Sequence, residues 1–172
     1  MKTSGKETWP YVVAALEPLR SAGYLSRVEN ASSKSITYGP VTVIGTGNTP
    51  LDQVQPLASR DYFYDAPIPS LNSTFSNITS LVSPIASTAF SASFGTVQNT
   101  TGALNATQLA LLRAQIGVAH SKGIKVRYWD QPAWPISLRN GVWKQLWEEG
   151  SDLINADDLA AAAGFSDYSN YW

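Results

Sequence analysis

Residues 123–159, GIKVRYWDQPAWPISLRNGVWKQLWEEGSDLINADDL, carry in succession a strand pattern, a turn, a helix pattern and a second strand pattern. That order leaves few folds open. Two strands joined by one crossover helix lie parallel, and parallel strands need helices packed over them. Ile124 to Asp130 alternates with period two, so Lys125, Arg127 and Trp129 share one face while Val126, Tyr128 and Asp130 share the other. Pro132 and Pro135 end the strand, and Pro135 suits the first turn of a helix, where a missing N–H costs nothing. In that helix Ile136, Trp143 and Trp147, with Leu146 beside them, form the predicted apolar stripe, and Lys144, Glu148 and Glu149 face water. Gly141 weakens its middle, Gly150 stands where a left-handed cap is wanted, and Asp152 to Asp157 supplies the next short strand.

The rest of the chain repeats this alternation. Val12, Val13, Leu16 and Leu19 predict a helix over Glu7 to Leu25, with Thr8 as N-cap, Gly23 near its end and a kink at Pro18. A strand is expected at Val41 to Gly45, followed by the tight loop GTGNTP. A dinucleotide fingerprint would need a third glycine opening a helix and an acidic residue about 20 positions on, and Pro50 argues against that helix. Asp61 to Ala66, DYFYDA, is an aromatic strand. From about 67 to 107 the chain is rich in Ser, Thr and Asn. It is expected as a partly disordered insertion, with one extended piece at Ala89 to Val97. Leu104, Leu111 and Val118, joined by Leu109, Leu112 and Ile116, predict a helix from Leu104 to His120 with Asn105 as N-cap and Gly123 after it. A last short helix, Leu159 to Ala163, is expected to start from Asp157 or Asp158 and to end at Gly164.

Charge and composition narrow the function classes. A formal net charge of −1 gives no basic field for nucleic acid or an anionic membrane, so neither is an expected partner. The absence of cysteine removes disulfides and thiolate metal sites. No apolar run reaches the roughly 20 residues of a membrane span, and MKTSGKETW lacks a signal-peptide core. Asn30, Asn72, Asn77, Asn99 and Asn105 each open an N-x-Ser/Thr triplet. They are glycosylation candidates that favour the secretory pathway or an extracellular, membrane-attached location.

Parallel α/β folds place their chemistry at the C-terminal ends of strands, which selects Asp65, Arg127, Trp129, Asp130, Asn155 and Asp157. Each has a plainer reading. Arg127 could be a partly buried ion pair with Asp65 or Asp157, Trp129 could be core, Asp157 could be an N-cap, and Asn155 could serve only to hold Arg127. Asp158 is expected to be a cap alone, and Trp134, Trp143 and Trp147 to be core. His120, the sole histidine, ends a helix, where it would complement the negative pole of the dipole.

The motifs RYWD-x-PAWP-x-SLRN at 127–140 and DL-x-NADDL at 152–159, with GTGNTP at 45–50 and the DAP turn at 65–67, resemble the C-terminal half of a fungal family. It is the altered-inheritance-of-mitochondria protein six family, grouped with the phospholipase-C-like and glycerophosphodiester phosphodiesterase-like (β/α)8 TIM barrels. The resemblance implies an α/β fold, the C-terminal part of such a barrel. Since a whole one takes about 250 residues, the barrel would be incomplete. Residues 1–165 would run from the end of the fourth strand, with 41–45 as the fifth, 61–66 as the sixth, KVRYWD as the seventh and DLINADD as the eighth. Residues 166–172 would be a tail, and the chain would start in mid-barrel.

The same resemblance implies a phosphodiester or phospholipid-derived substrate. Lys2, which matches a family lysine, and Arg127 would neutralise phosphate oxygens. Trp129 would form an apolar wall, and Asn155 and Asp157 would orient the substrate. Complete barrels of this type resemble one another in using paired histidines and Mg²⁺ or a similar ion, all on early strands. Those motifs are not found here, so the chain is expected to be inactive alone and to hold no cofactor itself. Exposed barrel edges would invite self-association. The rival expectation is a non-catalytic, glycosylated α/β binding or interaction module. The mitochondrial link rests on the family name only.

Overall fold

The computed structural model describes residues 1–30 and 32–164, so the predicted tail at 166–172 lies outside the described residues. In chain order the elements are α1 (Gly5–Ala15), α2 (Glu17–Ser21), β1 (Ile44–Gly45), α3 (Leu51–Val54), β2 (Phe63–Pro67), a 3₁₀ turn (Ile68–Ser70), β3 (Ile85–Ala89), α4 (Phe90–Phe94), α5 (Ala106–Ser121), β4 (Lys125–Trp129), α6 (Ile136–Glu148), β5 (Leu153–Ile154) and α7 (Leu159–Gly164). The strand order is β1-β2-β3-β4-β5, with β1–β2 and β4–β5 paired in parallel. The fold is therefore α/β with a parallel sheet. Two compact units divide the chain: Met1–Ala66 with Asn77–Ile85, and Pro67–Ser76 with the residues from Ala86 on.

In the first unit the single kinked helix resolves into two. α1 begins at Gly5 because Thr8, the expected cap, already donates its N–H to the Ser4 carbonyl at 3.1 Å. The break falls at Leu16 and places Pro18 in the first turn of α2, where its missing N–H is harmless. Gly23, with φ of 71°, closes α2: its N–H bonds the Arg20 carbonyl, and the Tyr24 N–H bonds that of Leu19. Trp9, Val54 and Tyr62 form the core here, Trp9 meeting Tyr62 edge to face with ring centroids 5.1 Å apart. The fifth-strand region shrinks to β1, because Val41 pairs upstream with Leu25 instead. The aromatic strand lies two residues later at its start than expected, and one turn of helix, α3, does follow Pro50.

In the second unit the parallel pair holds as the sequence predicts, in the register Arg127↔Leu153 and Tyr128↔Ile154. Val126 and Tyr128 are fully buried, whereas Lys125 and Trp129 are exposed and Arg127 is half-buried. Asp130 departs from the alternation, since its φ of 58° turns the chain out of the strand. The Asn105 cap of α5 is a reciprocal capping box. Its Oδ1 accepts the Gln108 N–H at 2.9 Å, and the Gln108 side chain accepts the Asn105 N–H at 2.9 Å. Asn105→Ala should cost about 1 kcal/mol and lower Tm by roughly 2–4 °C, read by thermal denaturation. Gly123 and Gly150, with φ of 69° and 92°, end α5 and α6 as predicted.

The Ser/Thr/Asn-rich stretch corrects the expectation most. Ile85–Ala89 is a strand, and the piece read as extended, Ala89 to Val97, begins with helix α4. Ile68, Leu71, Ile78, Val82, Ala86, Phe90 and Phe94 are buried, so the stretch is anchored by core contacts and is not an unstructured insertion. In the strand order β3 stands between β2 and β4, the segments expected as sixth and seventh neighbours. Those two ordinals do not hold together.

α6 is corrected too. Leu138, Val142, Trp143 and Leu146 are its buried apolar residues, while Ile136 lies outside and Trp147 is 60% exposed. Trp134, at 75% exposed, also stands outside the core, whereas Trp143, at 2%, is within it.

Candidate functional site

The ends of β4 and β5 and the loops that leave them line a cleft of about 270 Å³. Its walls come from Asp130, Gln131, Pro132 and Ala133 after β4, Arg139 and Trp143 of α6, and Asn155, Ala156, Asp157 and Asp158 after β5. Parallel strands make this cleft, since both chains leave the sheet at the same end.

Arg127 and Asn155 meet beside it. Arg127 Nε donates to Asn155 Oδ1 at 3.2 Å and Nη2 donates to the same oxygen at 2.5 Å. These two bonds go to a neutral amide and not to the carboxylate of Asp157, the partner considered within this unit. Arg20, Arg27, Arg113 and Arg139 face the carboxylates of Asp61, Glu29, Glu149 and Asp158, whereas Arg60 donates to the Leu57 and Leu81 carbonyls. Trp129, two residues beyond Arg127, is 44% exposed and so is not core.

The three aspartates of the cleft differ. Asp130 Oδ2 accepts a hydrogen bond from Ser91 Oγ, which fixes it at the turn. Asp158 does more than cap: its Oδ1 accepts the Ala161 N–H at 3.0 Å, and its Oδ2 lies 3.3 Å from Arg139 Nη1. The Ala161 amide and then Arg139 hold its carboxyl below the usual range. Asp157 is exposed on the cleft wall and is not the residue that caps α7. Arg139, which sequence reasoning passed over, is oriented from three sides. It pairs with Asp158, its Nε donates to Asn140 Oδ1 at 3.1 Å, and its guanidinium lies 4.5 Å from the Trp143 ring centroid. The quoted SLRN motif contained it, without a signal that separates it from a surface arginine.

Lys2 and Asp65 belong to the first unit. Lys2 is exposed in a segment tied to the GTGN loop, where the Asn48 N–H bonds the Met1 carbonyl at 2.9 Å and Asn48 Nδ2 bonds that of Thr3 at 3.0 Å. Asp65 is half-buried in β2, and burial together with its charge pushes the Tyr64 hydroxyl up. His120 lies at the other end of the second unit's strands. Its Nε2 is 2.8 Å from Asp152 Oδ2, which also accepts the Val126 N–H at 2.8 Å. It is tied into the start of β4 and is not at the cleft. Among the described residues no three His, Asp or Glu side chains converge. All five sequon asparagines are exposed, and no described helix is long and apolar enough to cross a membrane.

Parallel α/β folds carry their sites at the C-terminal edge of the sheet, the edge where β4 ends at Trp129. Comparison with known proteins narrows the class. The model of the AIM6-like phosphodiesterase domain family matches residues 1–65. Over 166 residues, 96% of this chain, the sequence is 50% identical to the altered inheritance of mitochondria protein 6 homolog of Arthroderma benhamiae, 51% of which is covered. The altered inheritance of mitochondria protein 6 of Lachancea thermotolerans is 31% identical over 84% of the chain and 37% of its own length. That of Candida glabrata is 33% identical over 86% and 39%. The chain belongs to the altered inheritance of mitochondria protein 6 family, and it spans about half or less of the length of these relatives. No solved structure matches it.

Proposed function

We propose that this chain carries a phosphate-gripping part of a phosphoric diester hydrolase-like protein, of the phospholipase C and glycerophosphodiester phosphodiesterase kind, and does not hydrolyse a diester alone. The observation that carries the reading is the Arg127 guanidinium, held by the neutral Asn155 oxygen on the same strand face as Trp129. Both bonds end on one oxygen. Nη1 and the second Nη2 proton therefore remain for two oxygens of a phosphodiester, the paired geometry that guanidinium suits. Trp129 supplies an apolar wall for the ester group, and Asp157 and Asn155 orient what lies between. The family motif gives Lys2 the same neutralising task.

Hydrolysis needs in addition a proton donor and acceptor and, in this class, a divalent ion such as Mg²⁺. His120 is engaged at the opposite strand ends. The acid–base and metal-binding groups are proposed to come from elsewhere in the family barrel, of which these strands are the C-terminal part. The purified chain, assayed with Mg²⁺ on bis-phosphodiester substrates, should show no turnover. Turnover that Lys2→Ala abolishes would overturn this reading.

A further inference from the structure

We infer that Asn72 is an N-glycosylation site and that the first N-acetylglucosamine of its glycan lies in a groove of the protein. The groove, about 320 Å³, belongs wholly to the second unit. Ile68, Pro69, Leu111, Ala114 and Val118 make its apolar walls, Ser93 and Gln115 contribute polar groups, and Asn72 itself stands in its lining. Asn72 opens the triplet Asn72-Ser73-Thr74 and is exposed. The groove therefore has a covalent attachment point for its occupant in its own wall.

The chemistry of the walls suits a hexosamine. One face of such a sugar is apolar C–H and packs on Pro and aliphatic side chains. Its acetamido group and hydroxyls need hydrogen-bond partners. Leu111, 41% exposed on a helix whose other face is core, offers the apolar surface. Gln115, 8% exposed, has its Oε1 fixed by the buried Tyr128 hydroxyl at 3.1 Å, which directs Nε2 the other way. Nε2 meets only a long 3.5 Å contact with Ser93 Oγ, so an amide N–H is available for a sugar oxygen.

Other sequons are committed differently. Asn99 spends Nδ2, the atom that would carry a sugar, on the Ala103 carbonyl at 2.7 Å, and Asn105 caps α5. The transfer forms a bond from Asn72 Nδ2 to the sugar's C1. It breaks the C1–O bond of an oligosaccharyl lipid pyrophosphate, which leaves with the electron pair, and Nδ2 gives up one proton. That donor and its transferase belong to the secretory pathway.

The full chain, expressed behind a secretion leader in a glycosylating host, should carry its sugar on Asn72, mapped by mass spectrometry after enzymatic deglycosylation in heavy-oxygen water. Asn72→Gln and Thr74→Ala, which remove the site in two ways, should each lower Tm of the secreted protein by roughly 2–4 °C. Neither should change Tm of protein made in a host without the transferase. Amide exchange over residues 111–118 should slow when the glycan is present, and Leu111→Ser should abolish that slowing. An unmodified Asn72 in the secreted protein would overturn the inference. So would a glycan whose removal leaves both Tm and exchange at 111–118 unchanged.

Discussion

Gly141→Ala should destabilise the chain by about 3 kcal/mol and lower Tm by roughly 6–12 °C, although alanine is the better helix former by about 1 kcal/mol. The reason is contact. A Cβ on Gly141 would lie 1.7 Å from the Thr101 carbonyl oxygen and 2.7 Å from its carbon, so backbone would have to move. The opposing surface is equally tight: Gly102, with φ of +79°, would place its own Cβ 2.4 Å from the Val142 nitrogen. One turn along α6, Gln145 Oε1 accepts the Leu104 N–H at 2.6 Å. The segment that leads into α5 is thus clamped to α6 by two bare Cα atoms and one side-chain bond. Gly117 supplies the control. It sits in α5 with nothing within 4 Å of an added Cβ, so Gly117→Ala should raise stability by about 0.5–1 kcal/mol. Thermal and urea denaturation of the two variants should move in opposite directions, and an unchanged midpoint for Gly141→Ala would show that the clamp is not there.

This pair also shows what was legible in the sequence. Features set by a few neighbouring residues were readable: the Asn105 cap, the Gly123 and Gly150 terminations, the parallel β4–β5 pair, and the step of two that lets Asn155 reach Arg127. Gly141 read only as a weak point, because its reason is Thr101, forty residues away. β3 was unreadable for another cause. Its residues, IASTA, offer no contrast between a polar and an apolar face, and the phenylalanines after it suggested a strand where α4 stands. In α6 a seven-residue step from Ile136 to Trp143 competed with the four-residue steps Leu138, Val142 and Leu146. Packing followed the latter and kept Trp143 beside them, leaving Ile136 and Trp147 on the surface. Of the candidate site, the strand-end positions could be picked out in the sequence because strand ends point one way. Arg139 was missed because a helix residue's direction depends on how the helix is rolled against the sheet.

Arg127→Ala should weaken binding of a minimal phosphodiester at least about tenfold, the effect of losing charge-assisted bonds of about 1.5–3 kcal/mol. Dimethyl phosphate is the suitable probe, since it has no head group that could bind by itself, and its ³¹P shift reports the titration. Arg127→Lys should recover the charge but not the paired donors and fall between the two. Asn155→Asp is the sharper variant. It keeps the geometry of the Nε and Nη2 bonds, at 3.2 and 2.5 Å in the native chain, while adding an anion that competes with phosphate for the same guanidinium. Its affinity should drop nearly as far as that of Arg127→Ala, whereas a purely structural arginine would gain from the closer ion pair and show higher Tm with binding unchanged. Binding by the native chain should also weaken as salt is raised from 50 to 300 mM, because a half-buried guanidinium is still partly screened. Equal affinities in the native, Arg127→Ala and Asn155→Asp chains would place the phosphate contact elsewhere and leave the Arg127–Asn155 pair a strand-to-strand tie.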